Sequence, residues 1–203
     1  DTCDADLLID TMKRHDITHA VQMAYYLPEA AILEAPPRAI RVNCEGTSNV
    51  FEAARLLGLK KVVYASTDGV CPLGPREDDP VAPNSMYGHM KYFNEVMAKH
   101  YSRYFGLDTI GLRFGVNYGP GGRLLADEVK RKYGSAAIHQ VLEGLMQGKT
   151  VHVSMHPQTM FSWQYVKDSA RCIALALASE PTKRKVFDLA APRNPIKDLT
   201  DML

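Results

Sequence analysis

"NCEGTSNVFEAARLLGLKKVVYAST", Asn43 to Thr67, reads as one helix running into one strand. Val50, Phe51, Ala54 and Leu57 recur at helical spacing, and Gly58 supplies the residue on which helices commonly stop. From Lys61 to Ser66, "KVVYAS" is nearly all apolar and shows no alternation of polar and apolar positions. A strand of that kind belongs to a sheet covered on both faces, as parallel sheets are.

The same grammar extends in both directions. "ITHAVQMA" (Ile17 to Ala24) reads as a strand before the helix; "LDTIGLRF" (Leu107 to Phe114), "TVHVS" (Thr150 to Ser154) and "KVFDLA" (Lys185 to Ala190) read as strands after it. Between them stand helical patterns from near Ser85 to Phe105, in "AAIHQVLEGLMQG" (Ala136 to Gly148) and in "YVKDSARCIALALAS" (Tyr165 to Ser179). Strands alternating with helices indicate βαβ units joined by right-handed crossovers. The expected fold is therefore α/β, a Rossmann-like doubly wound parallel sheet. Residues 1–120 form its core, and 121–203 contribute further core elements and a small C-terminal lobe that binds substrate.

Bulk properties exclude several classes. A net charge of +1 and the scatter of lysine and arginine give no footprint for nucleic acid, and no long apolar run points to a membrane. Cys3, Cys44, Cys71 and Cys172 are far apart and follow no metal spacing, which reads as a reduced cytoplasmic protein with no metal site. The chain opens without methionine and stops where a helix begins, so both ends of a longer protein are expected to be missing.

The chemistry gathers around two segments. Thr67 and Asp68 end the strand "VVYASTDG", and Tyr87 and Lys91 lie one turn apart on the next helix, across a proline-rich loop of about 15 residues. A tyrosine works as an acid or base when its pKa of about 10 is brought toward the working pH, and a nearby ammonium favours the phenolate. A threonine hydroxyl beside it can share the substrate's oxygen. Taken alone, the pair could equally be a helix face packing on apolar surface, and Asp68 could be a turn cap. His19, His89 and His100 read as surface or core histidines. Phe114, Tyr118, Trp163 and Tyr165 suit either a pocket or the core. The glycines of a dinucleotide fingerprint do not follow the first visible strand, and "GPGG" at Gly119 to Gly122 lacks their spacing.

Six segments in order resemble the extended short-chain dehydrogenase/reductase family, in its epimerase/dehydratase group. They are "THAVQMAYY", "VNCEGTSNVFEAAR", "VVYASTDGV", "EDDPVAPNSMYGHMK", "GLRFGVNYGPGG" and "FSWQYVKDSARCIALAL". The resemblance implies NAD or NADP as cofactor, with Asp1, Met23, Ala24, Tyr25, Ala65, Tyr87, Lys91 and Gly115 facing it. It makes Tyr87 the general acid/base, gives Lys91 the ribose hydroxyls and the task of depressing the tyrosine's pKa, and has Thr67 orient the substrate oxygen. It implies an N-terminal portion of about 50 residues, carrying the glycine-rich loop and the residue that separates NAD from NADP. It also implies a homodimer, with the helices after Asn43 and Ser85 as its faces.

Three departures narrow the substrate. Dehydratases of the family place a glutamate after Thr-Asp, where this chain has Gly69, so sugar dehydration is not expected. Val116 stands where sugar-nucleotide members carry asparagine, and Phe161 where they carry an arginine against the diphosphate. Asp68, Val116, Phe161 and Trp163 are thus expected to line a pocket for a more apolar small molecule. The expected reaction is hydride transfer to or from a secondary alcohol or ketone carbon. Epimerisation through a transient ketone uses the same residues, and a non-catalytic dinucleotide-binding protein on this fold is the alternative from another class.

Overall fold

The computed structural model describes residues 1–26, 29–71, 80–119, 144, 147–150, 158, 160–189 and 194–195. Most of the helix predicted at Ala136 to Gly148, of the strand at Thr150 to Ser154 and of the proline-rich loop lies outside the described residues. In chain order the elements are α1 (Ala5–Arg14), β1 (His19–Gln22), α2 (Glu29–Glu34), α3 (Pro36–Ile40), a π-helical turn (Arg41–Glu45) and α4 (Gly46–Leu57). They continue with β2 (Lys61–Thr67), a 3-10 turn (Asp68–Val70), α5 (Met86–Phe105), β3 (Thr109–Phe114) and β4 (Val116–Tyr118). The last are β5 (Met160–Phe161), β6 (Trp163–Tyr165), α6 (Val166–Ala178), β7 (Val186–Asp188) and β8 (Asn194–Pro195).

The central sheet has the order β1-β2-β3-β7 with parallel neighbours throughout, as the α/β reading requires. Its two-sided burial shows residue by residue along β2. Val62 and Tyr64 pack on one face with Phe51, Ala53 and Ala54 of α4 and Ala98 of α5. Val63 and Ala65 pack on the other with Ile110, Leu112 and Ala176. Successive side chains on a strand point to opposite faces, so an unbroken apolar run feeds two cores at once. Full burial of each such side chain contributes about 1.5–3 kcal/mol.

The segment after Gly121 returns to this sheet: α6 packs on β2 and β3, and β7 forms the strand beside β3. β4 and β6 pair separately, with Val116 opposite Trp163, and β5 pairs with β8.

Local chemistry explains where elements stop. α4 ends on Gly58 at φ 67° and α5 on Gly106 at φ 70°, left-handed positions that glycine adopts without strain. Ser85 caps α5 by accepting the Gly88 N–H at 3.0 Å. β1 is shorter than the predicted Ile17 to Ala24. The Gln22 side chain folds back, accepting the Ala24 N–H at 3.3 Å and donating to the Ala24 carbonyl, and so ends the ladder. The helix predicted from Asn43 begins at Gly46, after a wider turn in which the Asn43 side chain holds the backbone of Tyr26.

A buried polar cluster binds the layers. Arg113 on β3 donates from Nε and Nη2 to both carboxylate oxygens of Glu95 on α5, each at 2.8 Å. Ser66 on β2 donates to the same Glu95 at 2.5 Å, and Asp188 on β7 accepts from Arg113 at 3.3 Å. Both Arg113 and Glu95 are buried, so each charge depends on the other.

Gly115, between β3 and β4, lies against the segment that carries Ser162. A Cβ there would stand 2.5 Å from the Ser162 carbonyl oxygen, whereas one at Gly69 would meet only Thr67, at 3.5 Å. Urea unfolding of Gly115→Ala is expected to show a loss of about 1–3 kcal/mol, and Gly69→Ala a clearly smaller one. Equal losses would refute this close approach as the reason for the glycine.

Candidate active site

The first turn of α5 is seated on the turn that follows β2. A Cβ at Gly88 would lie 2.9 Å from the carbonyl oxygen of Gly69, so only glycine allows this approach without a shift. That seat brings Tyr87, next to Gly88, to the carboxyl end of β2.

One helical turn on, Lys91 is buried, with 2% of its surface exposed. Its Nζ donates to the Ala65 carbonyl at 2.9 Å, one residue before Ser66 joins the Glu95 cluster. The ammonium lies 5.5 Å from the ring centroid of Tyr87 and 5.6 Å from that of Tyr25, whose rings are 6.2 Å apart and inclined at 59°. An ammonium over aromatic faces is attracted by their quadrupoles.

Charge follows burial in this site. Burial lowers the Lys91 pKa from 10.5 to about 8, against a smaller opposing effect of Cys44. Burial raises the Tyr87 pKa above its ordinary value, and Tyr25 and Asp68 push it further the same way. Tyr87 is therefore a protonated phenol at neutral pH. Desolvation is the largest of these influences, and the Lys91 ammonium lies over the Tyr87 ring. Beside them, the Thr67 hydroxyl donates to Asp68 Oδ1 at 3.3 Å and accepts the Gly69 N–H at 3.3 Å. The cap of the 3-10 turn is thus Thr67, with Asp68 in its first turn.

A cavity of about 410 Å³ opens beside this group, lined by Asp1, Thr2, Met23, Ala24, Tyr25 and Val42. Four residues assigned to the cofactor, Asp1, Met23, Ala24 and Tyr25, are brought together there. Ala65 and Gly115 lie elsewhere, the first under Lys91 and the second against Ser162. Val116 and Trp163 face each other across β4 and β6, both half-buried. The Phe161 backbone lies on β5, and its side chain is outside the described residues. Phe114 is core, while the Tyr118 and Tyr165 rings meet at 5.6 Å. His19, His89 and His100 are exposed.

Sequence reasoning gave no role to Asn43 or Glu95. Asn43 Oδ1 accepts the Tyr26 N–H at 2.6 Å and its Nδ2 donates to the Tyr26 carbonyl, fixing the loop that carries Tyr25. Glu95 stands four residues after Lys91, a spacing that could have marked it as sharing the same helix face.

The folded-state pKa of Lys91 lies below its unfolded value, so the native chain gives up this proton first. Native stability should then rise with pH between about 8 and 10.5. In urea unfolding against Lys91→Met, wild type is expected to gain about 2–3 kcal/mol across that window. A difference independent of pH would contradict the buried ammonium.

Comparison with known proteins agrees with this fold. A family model described as the NAD dependent epimerase/dehydratase family matches residues 1–190. A dTDP-glucose 4,6-dehydratase of Streptomyces niveus is 29% identical over 184 residues, which cover 87% of this chain and 50% of the relative. An L-arabinose 1-dehydrogenase (NAD(P)(+)) of Haloferax volcanii is 32% identical over 149 residues, 65% of this chain and 54% of the relative. The structure of Thermus thermophilus UDP-glucose 4-epimerase in complex with NAD superposes with a TM-score of 0.81 at 25% identity, covering 98% of this chain and 65% of that one. The chain thus spans about half the length of these curated relatives. On the match of residues 1–190, it belongs to the NAD dependent epimerase/dehydratase family.

Proposed function

We propose that the protein is an NAD- or NADP-dependent oxidoreductase acting on a secondary alcohol or ketone carbon of a small molecule, with Tyr87 as the general acid/base. The observation that carries this reading is the buried Lys91 ammonium, fixed on the Ala65 carbonyl against the Tyr87 ring. The cavity formed by Asp1, Thr2, Met23, Ala24, Tyr25 and Val42 fits the cofactor, because it opens beside Tyr87 and Lys91 through the shared wall of Tyr25. When bound, the cofactor supplies or accepts the hydride.

The remaining work falls to this chain's side chains. Tyr87, held protonated by burial, is ready to donate its proton to a ketone oxygen. In the opposite direction it takes the proton of a carbinol, and the Lys91 charge offsets the phenolate that precedes that step. Thr67 presents a hydroxyl held by Asp68 and the Gly69 N–H, and by turning its proton from Asp68 to a ketone oxygen it shares that oxygen with Tyr87. Val116 and Trp163 supply an apolar wall.

Dehydration is disfavoured by Gly69. A Cβ there meets only ordinary contacts, so packing does not forbid a side chain, yet glycine itself offers no base for elimination at this position. Epimerisation is the second reading, supported by the match to the Thermus thermophilus epimerase. The reading includes a homodimer through α4 and α5, where Leu56, Phe93, Tyr104 and Phe105 are exposed. It also places the protein in the cytoplasm, in keeping with its four free cysteines.

A panel of secondary alcohols, free sugars and nucleotide sugars, incubated with NAD or NADP and followed at the absorbance of the reduced cofactor, tests this. Net oxidation accumulates reduced cofactor, whereas epimerisation yields product without it. Tyr87→Phe is expected to lower turnover by about 10²–10⁴-fold. Turnover undiminished in that variant would overturn Tyr87 as the acid/base, and no turnover of any substrate in the panel would leave the binding-protein reading.

A further inference from the structure

Lys91 is held from three directions, and only one of them belongs to its own helix. Below it the Ala65 carbonyl of β2 accepts one N–H at 2.9 Å. Tyr87 of α5 offers a ring face at 5.5 Å, and Tyr25, from the loop after β1, offers another at 5.6 Å. We propose that Tyr25 is a positioning residue of the acid/base couple: its ring is the second wall of an aromatic slot that holds the Lys91 ammonium on the Ala65 carbonyl.

The backbone around Tyr25 is built to keep that ring in place. On one side Ala24 is tied to Gln22, which itself donates to Thr47 of α4 at 3.2 Å. On the other, both backbone groups of Tyr26 are taken by Asn43, whose carbonyl accepts from Asn94 of α5 at 2.8 Å. Tyr25 is thus suspended between two residues whose anchors end on α4 and α5. It is also the residue that belongs to both the cavity lining and the slot. Removing the ring opens Lys91 to water, while an aliphatic replacement keeps the slot dry and loses the π face.

Among the described residues, the titratable groups around the ammonium are few. Tyr25 faces it from the β1 loop, Tyr87 from α5 and Cys44 from the π-helical turn; β2 contributes the Ala65 carbonyl. Asp68, from the 3-10 turn, acts on Tyr87. Desolvation is the largest influence on Lys91, which sets the direction expected of each variant.

The inference rests on reading Tyr87 and Lys91 as an acid/base couple, but its test reads the ammonium itself and needs no substrate. Wild type, Tyr25→Phe, Tyr25→Leu and Tyr25→Ala are labelled with lysine carrying ¹³C at Cε and titrated by NMR, the Lys91 signal being identified by its loss in Lys91→Met. The wild-type signal is expected to titrate near 8. Tyr25→Phe should follow it, Tyr25→Ala should titrate at least about half a pH unit higher, and Tyr25→Leu lower by a similar amount. Tyr25→Leu keeps the bulk of the wall, so the proposal stays testable where Tyr25→Ala does not fold. A Lys91 titration unchanged in both Tyr25→Leu and Tyr25→Ala would overturn the proposal. So would a change in Tyr25→Phe as large as in Tyr25→Leu, because the hydroxyl rather than the ring would then be responsible. Loss of turnover in Tyr87→Phe bears on the acid/base reading alone, so the two failures are distinguishable.

Discussion

The bidentate pair of Arg113 and Glu95 is the constraint on which the site depends. Two opposite charges are buried together, and removing either partner would leave the other without compensation, at a cost of about 3–5 kcal/mol. The pair also fixes register. Glu95 accepts from Ser66, so the helix carrying Tyr87 and Lys91 is set against the strand that carries Ala65 and Thr67. Lys91 lies one turn before Glu95, and its acceptor Ala65 lies one residue before Ser66. The two contacts therefore act as adjacent rungs between the same two elements, one ionic and one between an ammonium and a carbonyl. Asp188 extends the arrangement to β7 and so brings in the C-terminal part of the chain.

A second set of contacts, made of amides and hydroxyls, works from the opposite side. Asn43, Thr47, Asn94 and Gln22 link the π-helical turn, α4, α5 and the end of β1. Such a network confers geometry more than net stability, since each hydrogen bond contributes only about 1 kcal/mol. What it fixes is the loop from Met23 to Tyr26, the part of the chain that faces both the cavity and Lys91. Chemistry at one oxygen atom needs groups placed within a fraction of an ångström, and these rigid elements supply that placement.

Much of this was legible in the residues. The unbroken apolar run of β2 announced a sheet covered on both faces, and the glycine after α4 and the serine before α5 marked helix ends that the structure keeps. Tyr87 and Lys91 were readable as a pair because helical spacing is local. Contacts that cross between elements were not readable. Nothing in "NCEGT" says that Asn43 spends its amide on Tyr26, or that the helix begins with a wider turn. The burial that raises the Tyr87 pKa was also inaccessible, because burial is a three-dimensional fact. Gly115 illustrates the same limit, since nothing in its motif says that its close neighbour in space is Ser162.

The central claim is that the Glu95 cluster sets the register between α5 and β2 on which the acid/base couple depends. The most direct measurement is a crystal structure of Glu95→Gln, which keeps the volume of the side chain and removes its charge. The account predicts an intact parallel sheet in which Arg113 turns toward Asp188 and the Lys91 contact with the Ala65 carbonyl, 2.9 Å in the parent chain, is lengthened or lost. An unchanged Lys91 contact, with Tyr87 still seated at the end of β2, would show that the site is held without the ion pair and would contradict the account.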